Sequence, residues 1–248
     1  MEIIFGPSRG PVAVDDLPEH YPWPDDESRT YVRAMMVGTL DGAAAGADGL
    51  SGSINGEADG HVFTAVRRFA DAVLVGGGTL AAERYGPLHS TDADVVRREA
   101  AGQAKAPRIV TVSGSLNLPL GEDGFTRSTE RPLVFTTKAA DPERLAAVRE
   151  RCEVVQADGD RVDVGWVLDR LLERGLRRIV CEGGPTLLRD VAATGRLDEV
   201  DLTFSPQLVG TGTSPRTDLL DPARGFALHQ VITADDFVMA RYVAEAAR

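Results

Sequence analysis

Two apolar runs in this chain end abruptly in glycine. Ala72-Val73-Leu74-Val75 leads into Gly76-Gly77-Gly78-Thr79, and Ile179-Val180-Cys181 leads into Glu182-Gly183-Gly184-Pro185-Thr186. Unbroken apolar runs of this length read as strands buried on both faces of a parallel sheet. Beyond the second turn, Leu187, Leu188, Val191 and Ala192 recur at helical spacing. A strand, a turn without side chains and a helix start aim backbone N–H groups and the positive end of a helix dipole at one spot, where a phosphate can sit. One such turn is equally well a tight connection with no ligand. Two in one chain, within an alternating α/β pattern, favour a dinucleotide or phosphorylated ligand at the carboxyl ends of the strands.

The rest of the chain carries that pattern. Residues 1–29 stand apart: Pro7, Pro11, Pro18, Pro22 and Pro24 lie among Asp15, Asp16, Asp25 and Asp26 with little periodicity, which predicts an irregular amino-terminal extension. From residue 30 to 248 one α/β domain is expected. Strands are predicted at Val32–Leu40, Ala72–Val75, Arg108–Val112, Leu133–Thr136, Glu153–Val155, Ile179–Cys181 and Val200–Phe204, with a closing antiparallel pair at Leu228–Thr233 and Phe237–Ala244. Helices are predicted at Gly56–Ala70, from Asp141-Pro142 as cap and first helical position, at Asp163–Glu173 and at Thr186–Ala193. The expected fold class is a three-layer α/β/α arrangement around a mostly parallel sheet with an antiparallel carboxyl-terminal edge. That closing pair would leave a long free edge, which proteins usually cover, so a homodimer joined there is expected.

Composition excludes several functions. A net charge of −11 argues against nucleic acid or an anionic membrane as partner. The basic residues are almost all Arg, with Lys105 and Lys138 the exceptions. No apolar run spans a bilayer and no secretory signal is visible, so a cytoplasmic protein is expected. Cys152 and Cys181 read as buried reduced thiols. With His20, His61, His89 and His229 scattered, no metal site is expected.

Several residues have the chemistry for a site. Thr39-Leu40-Asp41-Gly42 ends the first long strand and leads into a small-residue loop, Ala43–Gly49, followed by Leu50-Ser51-Gly52-Ser53-Ile54-Asn55. Asp41 suits a general acid or the cap of its turn. Arg67 lies on the flank of its helix's apolar face and suits a phosphate clamp or a rim ion pair, whereas Arg68 is expected to point to solvent. Glu182, beside the ligand crevice, suits an acceptor for a substrate amide or a helix-start acid.

Thr39-Leu40-Asp41-Gly42, the Ser51 segment, Val75-Gly76-Gly77-Gly78-Thr79, Glu182-Gly183-Gly184-Pro185-Thr186-Leu187 and Ser205-Pro206-Gln207-Leu208-Val209-Gly210 follow in that order. From about Tyr31 to the carboxyl terminus the chain resembles the reductase domain of the bifunctional riboflavin-biosynthesis deaminase–reductase, of the dihydrofolate-reductase-like fold. No His-x-Glu with Pro-Cys-x-x-Cys occurs, so zinc deamination is not expected. The resemblance implies NADPH as hydride donor, a homodimer, and a ribosylaminopyrimidine phosphate as substrate, such as 5-amino-6-(5-phosphoribosylamino)uracil, whose opened ribose is reduced. Carried over by position, the dinucleotide would meet Val37, Ser53, Thr79, Glu83, Ser113 and the turn from Gly184 to Asp190. The substrate would meet Ser51, Arg67, Leu88 and Glu182. Glu83 is then a proton donor or a ribose ligand, and Ser113, Thr137 or Lys138 would favour a 2′-phosphate. This sequence departs from the resemblance at Met35, where a Lys is usual, at Glu83-Arg84, where an acid–Asp pair is usual, and at Ser53, often Trp. Reduction of a pterin by the same fold, or a non-catalytic dinucleotide-binding paralogue, are the rival readings.

Overall fold

The computed structural model describes residues 1–210, 220 and 223–245. Among these, the strands are β1 (Glu2–Phe5), β2 (Gly10–Pro11), β3 (Tyr31–Thr39), β4 (Ala72–Gly76), β5 (Arg108–Val112), β6 (Leu133–Thr137), β7 (Glu153–Ala157), β8 (Arg178–Cys181), β9 (Leu197–Ser205), β10 (Phe226–Ala234) and β11 (Phe237–Ala244). They form one sheet in the order β2-β1-β10-β11-β9-β3-β8-β4-β5-β6-β7. From β9 to β7 neighbouring strands run parallel. From β9 outward through β11, β10, β1 and β2 they run antiparallel. The expected fold class is what the chain adopts.

Helices cover both faces of the sheet, because the inner strands β4, β5, β6 and β8 carry apolar residues on both sides. On one face, Val32, Ala34, Leu74, Val110, Phe135 and Ile179 pack against Val164, Val167, Leu168 and Leu171 of α6 (Val164–Glu173) and Leu187 and Val191 of α7 (Pro185–Ala193). On the other, Met35, Val180 and Ile232 meet Ala58, Val62 and Val66 of α1 (Glu57–Arg67). Further along that face, Val73, Val75 and Val134 meet Leu80 of α2 (Gly77–Glu83) and Val148 of α5 (Pro142–Arg151). Helix starts follow local chemistry: the Asp141 and Asp163 carboxylates accept the Arg144 and Trp166 N–H groups at 2.9 and 2.7 Å. Both cysteines are free and buried, and burial pushes their thiols up, Cys152 to about 11 and Cys181 to about 12.

The structure corrects the irregular reading of residues 1–29. β1 pairs antiparallel with β10, Ile3 opposite Ile232, and residues Val14–His20 form a 3-10 turn that buries Leu17. The segment is fastened by a charged cluster inside the protein. Fully buried Arg33 meets Glu199 at 2.6 Å, donates to the Pro22 carbonyl at 2.9 Å, and lies 4.3 Å from the centre of the Trp23 ring. Arg241 meets the same Glu199 at 2.8 Å. Burial opposes the charge on Glu199, but Arg33 and Arg241 hold it down to about 2. Asp201 is pushed well above its usual value by burial and by Glu199, against the pull of Arg33, whose Nε lies 3.5 Å from its carboxylate. Because β1 covers β10, the free edge that motivated a homodimer is occupied within the chain, and that expectation is left to the resemblance alone.

Two further elements differ from expectation. β9 begins at Leu197 rather than Val200, since Asp198 and Glu199 are buried by Arg29, Arg33 and Arg241 rather than solvated. A helix α3 (Asp92–Ala100), capped by Thr91, occupies a stretch with few apolar residues; its buried Arg98 donates to the Ala70 carbonyl at 2.8 Å.

Candidate active site

β4 and β8 are parallel neighbours, so their glycine turns emerge side by side. The Gly76 N–H donates to the Gly183 carbonyl at 2.7 Å. Gly183 holds φ +77°, a backbone region that L side chains avoid. A Cβ on Gly184 would stand 2.7 Å from the Thr79 Oγ1, so a side chain there would have to push that hydroxyl aside. A cleft of about 330 Å³ opens at this point. Met35, Met36 and Val37 of β3 line it, with Ser51 and Asn55 from the small-residue loop, and Asp59 and Phe63 from α1. Gly78, Thr79, Glu83 and Tyr85 enter from the first turn, and Glu182, Gly184 and Pro185 from the second.

The polar groups are paired in a definite way. Both Glu182 oxygens are taken by Arg67, Oε1 by Nε at 2.5 Å and Oε2 by Nη2 at 2.6 Å, a bidentate pair in which Glu182 is almost completely buried. The Phe63 ring lies 4.0 Å beneath the guanidinium. Burial raises the Tyr85 phenol, and Glu182, to which it hydrogen-bonds, raises it further, so Tyr85 keeps its proton. Glu83 accepts the Ser51 N–H at 2.7 Å, tying the loop to α2. Asp59, the third residue of α1, accepts the Thr203 hydroxyl of β9. Burial raises its pKa, while Thr203 and Asn55 hold it back.

A second cavity of about 450 Å³ lies beyond Arg67. It collects His61, Thr64, Arg67, Arg68, Leu88, His89 and Thr91, with Asp15 of the amino-terminal segment. Arg67 thus lines this cavity while its guanidinium is bonded to Glu182 on the wall of the first.

Of the residues expected at a site, Val37, Ser51, Gly78, Thr79, Glu83, Glu182, Gly184 and Pro185 line the cleft. Gly76, Gly77 and Gly183 build the turns behind it, and Leu187 is buried in the core. Ser113 packs against Gly77 and accepts the Leu116 N–H at 3.1 Å, and exposed Thr186 lies on the first turn of α7. The Asp41 carboxylate accepts the Thr39 hydroxyl at 2.5 Å and the Gly210 N–H at 2.6 Å, and these bonds hold it below the usual range. It caps the turn that follows β9 and is not among the residues that line the cleft. Ser53 is exposed and hydrogen-bonded to Asp48 at 2.7 Å, and Leu88 faces the second cavity and the core instead of the cleft. Arg68 does not simply point to solvent, because it pairs with buried Asp94 at 2.7 Å. Lys138, just past β6, pairs with Asp158 at 2.7 Å. Asp59, Asn55, Phe63 and Tyr85 were missed. An Asp on the first turn of a helix resembles any dipole-stabilising acid, and only the fold brings it to the cleft.

The chain is 36% identical over 190 residues to the 2,5-diamino-6-ribosylamino-4(3H)-pyrimidinone 5′-phosphate reductase of Methanothermobacter thermautotrophicus, covering 76% of this chain and 83% of that one. It is 28% identical over 189 residues to the enzyme of the same name from Archaeoglobus fulgidus, covering 75% and 85%. A pyrimidine reductase-like protein from Corynebacterium diphtheriae shares the fold, with a TM-score of 0.79 at 23% identity over 94% of this chain and 99% of that one. The RibD C-terminal domain model matches residues 30–233, so the chain belongs to the RibD C-terminal domain family.

Proposed function

We propose that this chain is an NADPH-dependent reductase of a ribosylaminopyrimidine phosphate, acting on the opened ribose. The observation that carries the reading is the pair of abutting glycine turns on one cleft. Gly184 presents bare backbone beside Thr79, the kind of surface a pyrophosphate approaches closely, and α7 begins at the next residue. The curated relatives named for this chemistry support it.

In this reading Thr79, Gly184 and Pro185 hold the dinucleotide phosphates and Val37 flanks the nicotinamide. When bound, NADPH supplies the hydride for the substrate's carbonyl or imine carbon. The protein's own part is position and charge. Arg67, reached from the second cavity, holds the substrate phosphate, and Ser51 meets the part of the substrate that lies in the cleft. Glu182, neutralised by Arg67, fixes the floor between the two cavities and orients that guanidinium. Glu83 delivers the proton that accompanies reduction. Ser113 and Lys138 follow β5 and β6 directly, on the same end of the sheet as the glycine turns, and are the proposed source of a preference for the 2′-phosphate.

The test is loss of absorbance of NADPH on addition of a ribosylaminopyrimidine phosphate, with dihydrofolate as the comparison. No substrate-dependent oxidation, or oxidation with dihydrofolate alone, overturns the reading. Equal dissociation constants for NADPH and NADH would remove the cofactor preference.

A further inference from the structure

We propose that Asp59 is the group that reads the pyrimidine, and that it selects a 2-aminopyrimidin-4-one ring over the corresponding uracil. The inference rests on the reductase reading above and adds the residue that chooses the base.

The cleft holds three carboxylates that face a ligand: Asp59, Glu83 and Glu182. Glu182 is spent. Its oxygens already take both guanidinium N–H groups of Arg67, and it hydrogen-bonds the Tyr85 phenol as well. Glu83 sits at the end of α2, half-buried, and holds the Ser51 N–H. Asp59 is 3% exposed yet lines the cleft, which places it at the base. Met35, Val37 and Phe63 line the same cleft, side chains suited to the faces of a flat ring and without a polar atom to read its edge. Thr203 and Asn55 both hydrogen-bond the Asp59 carboxyl, and both bonds favour its ionised form against the burial that opposes it. A carboxylate has about four lone-pair sites, so with these bonds made it still has capacity to accept.

An ionised carboxylate only accepts. The ring edge that meets it must therefore donate. A 2-aminopyrimidin-4-one offers an N–H at N3 and an N–H of the 2-amino group side by side, a parallel donor pair that matches a carboxylate as a guanidinium does. A uracil replaces the amino group by a carbonyl. Its single N3–H is then flanked by two oxygens, and one of them faces the carboxylate without a proton between. A buried acceptor left against an acceptor discriminates strongly, by factors far larger than a lost apolar contact.

The experiment compares kcat/KM of the wild-type protein for the diaminopyrimidinone and uracil forms of the ribosylamino phosphate, at mildly alkaline pH with saturating NADPH. The diamino form is expected to be favoured by roughly 100-fold or more. Asp59→Asn, nearly isosteric, presents one acceptor and one donor, which suits the uracil edge. It is expected to lose most of the preference through KM for the diamino form, with NADPH affinity unchanged. A merely structural role for Asp59 would lower both substrates alike. Should Asp59→Asn fail to fold, competition of the wild-type protein by 2-aminopyrimidin-4-one against uracil gives the same answer: stronger inhibition by the amino ring supports the proposal and equal or weaker inhibition overturns it. Preference of the wild type for the uracil form overturns the assignment of Asp59 while leaving the reductase reading intact. Turnover of neither form overturns both.

Discussion

The Arg67–Glu182 pair is where stability and function meet, and a double-mutant cycle separates them. In Arg67→Met, the Glu182 carboxylate, whose side chain is 1% exposed, loses both guanidinium bonds and keeps only Tyr85. Breaking one side of a buried ion pair costs about 3–5 kcal/mol. Arg67 is 23% exposed, so water enters when it is shortened, and the lower end of that range, about 3 kcal/mol, is expected. In Glu182→Gln the guanidinium keeps one good acceptor and its opening to the second cavity, so about 1–2 kcal/mol is expected. The double variant leaves neither a buried charge nor an unmet carboxylate, and Met still covers Phe63. It should be more stable than the sum of the single losses by about 2 kcal/mol. Urea unfolding at neutral pH measures all three, and for a chain of this size about 2–4 °C of Tm accompanies each kcal/mol. Additivity within about 0.5 kcal/mol would show that the pair contributes no coupling and that Glu182 is solvated in a way its burial denies. The functional arm is separate: both variants containing Arg67→Met should raise KM for the phosphorylated substrate while NADPH affinity holds.

Gly184→Val should weaken NADPH binding sharply, because its Cβ alone would crowd Thr79 Oγ1 at 2.7 Å; an unchanged titration of a folded variant would mean that the turn is only a connection. Arg33→Met should destabilise the fold by about 3–5 kcal/mol and release the amino-terminal segment, seen as faster proteolysis before residue 30 than in wild type. The folded-state pKa of Asp201 is raised, so its burial weakens the protein as pH rises from its unfolded value upward. Asp201→Asn should therefore gain on wild type between acid and neutral pH, and a gap in Tm that does not widen with pH would contradict the raised pKa of this buried carboxyl. Glu199 has the opposite sign: held down to about 2, it supports the fold above its unfolded value and loses that support as pH falls through about 2, so Glu199→Gln should flatten the acid limb of wild-type unfolding.

What the sequence determined by itself is local. The buried strands at Ala72, Arg108, Leu133 and Ile179 lie where their apolar runs lie, and α6 follows its stripe of Val164, Val167, Leu168 and Leu171 from the Asp163 cap. The glycine turns were legible because runs of glycine after an apolar strand mark a tight turn, and at Gly183 the positive φ favours glycine. Ser51, Thr79, Glu83 and Glu182 reached the cleft as expected, since each lies in or near a segment placed at a strand's carboxyl end. What tertiary structure decided are partnerships between residues far apart in the chain. Arg67 meets Glu182 across 115 positions and Asp59 meets Thr203 across 144, and no local pattern carries either fact. The same holds for β1, whose partner Ile232 lies near the other end of the chain, and for the charged residues of β9, which look solvated until Arg33 and Arg241 bury them. Asp41 shows the same limit: the sequence left it a general acid or a turn cap, and the Gly210 and Val209 N–H groups that its carboxylate accepts were brought to it only by folding. Periodicity and turn chemistry act over a few residues, whereas the pairing of charges depends on which strands become neighbours, and that is settled by the packing of the whole sheet.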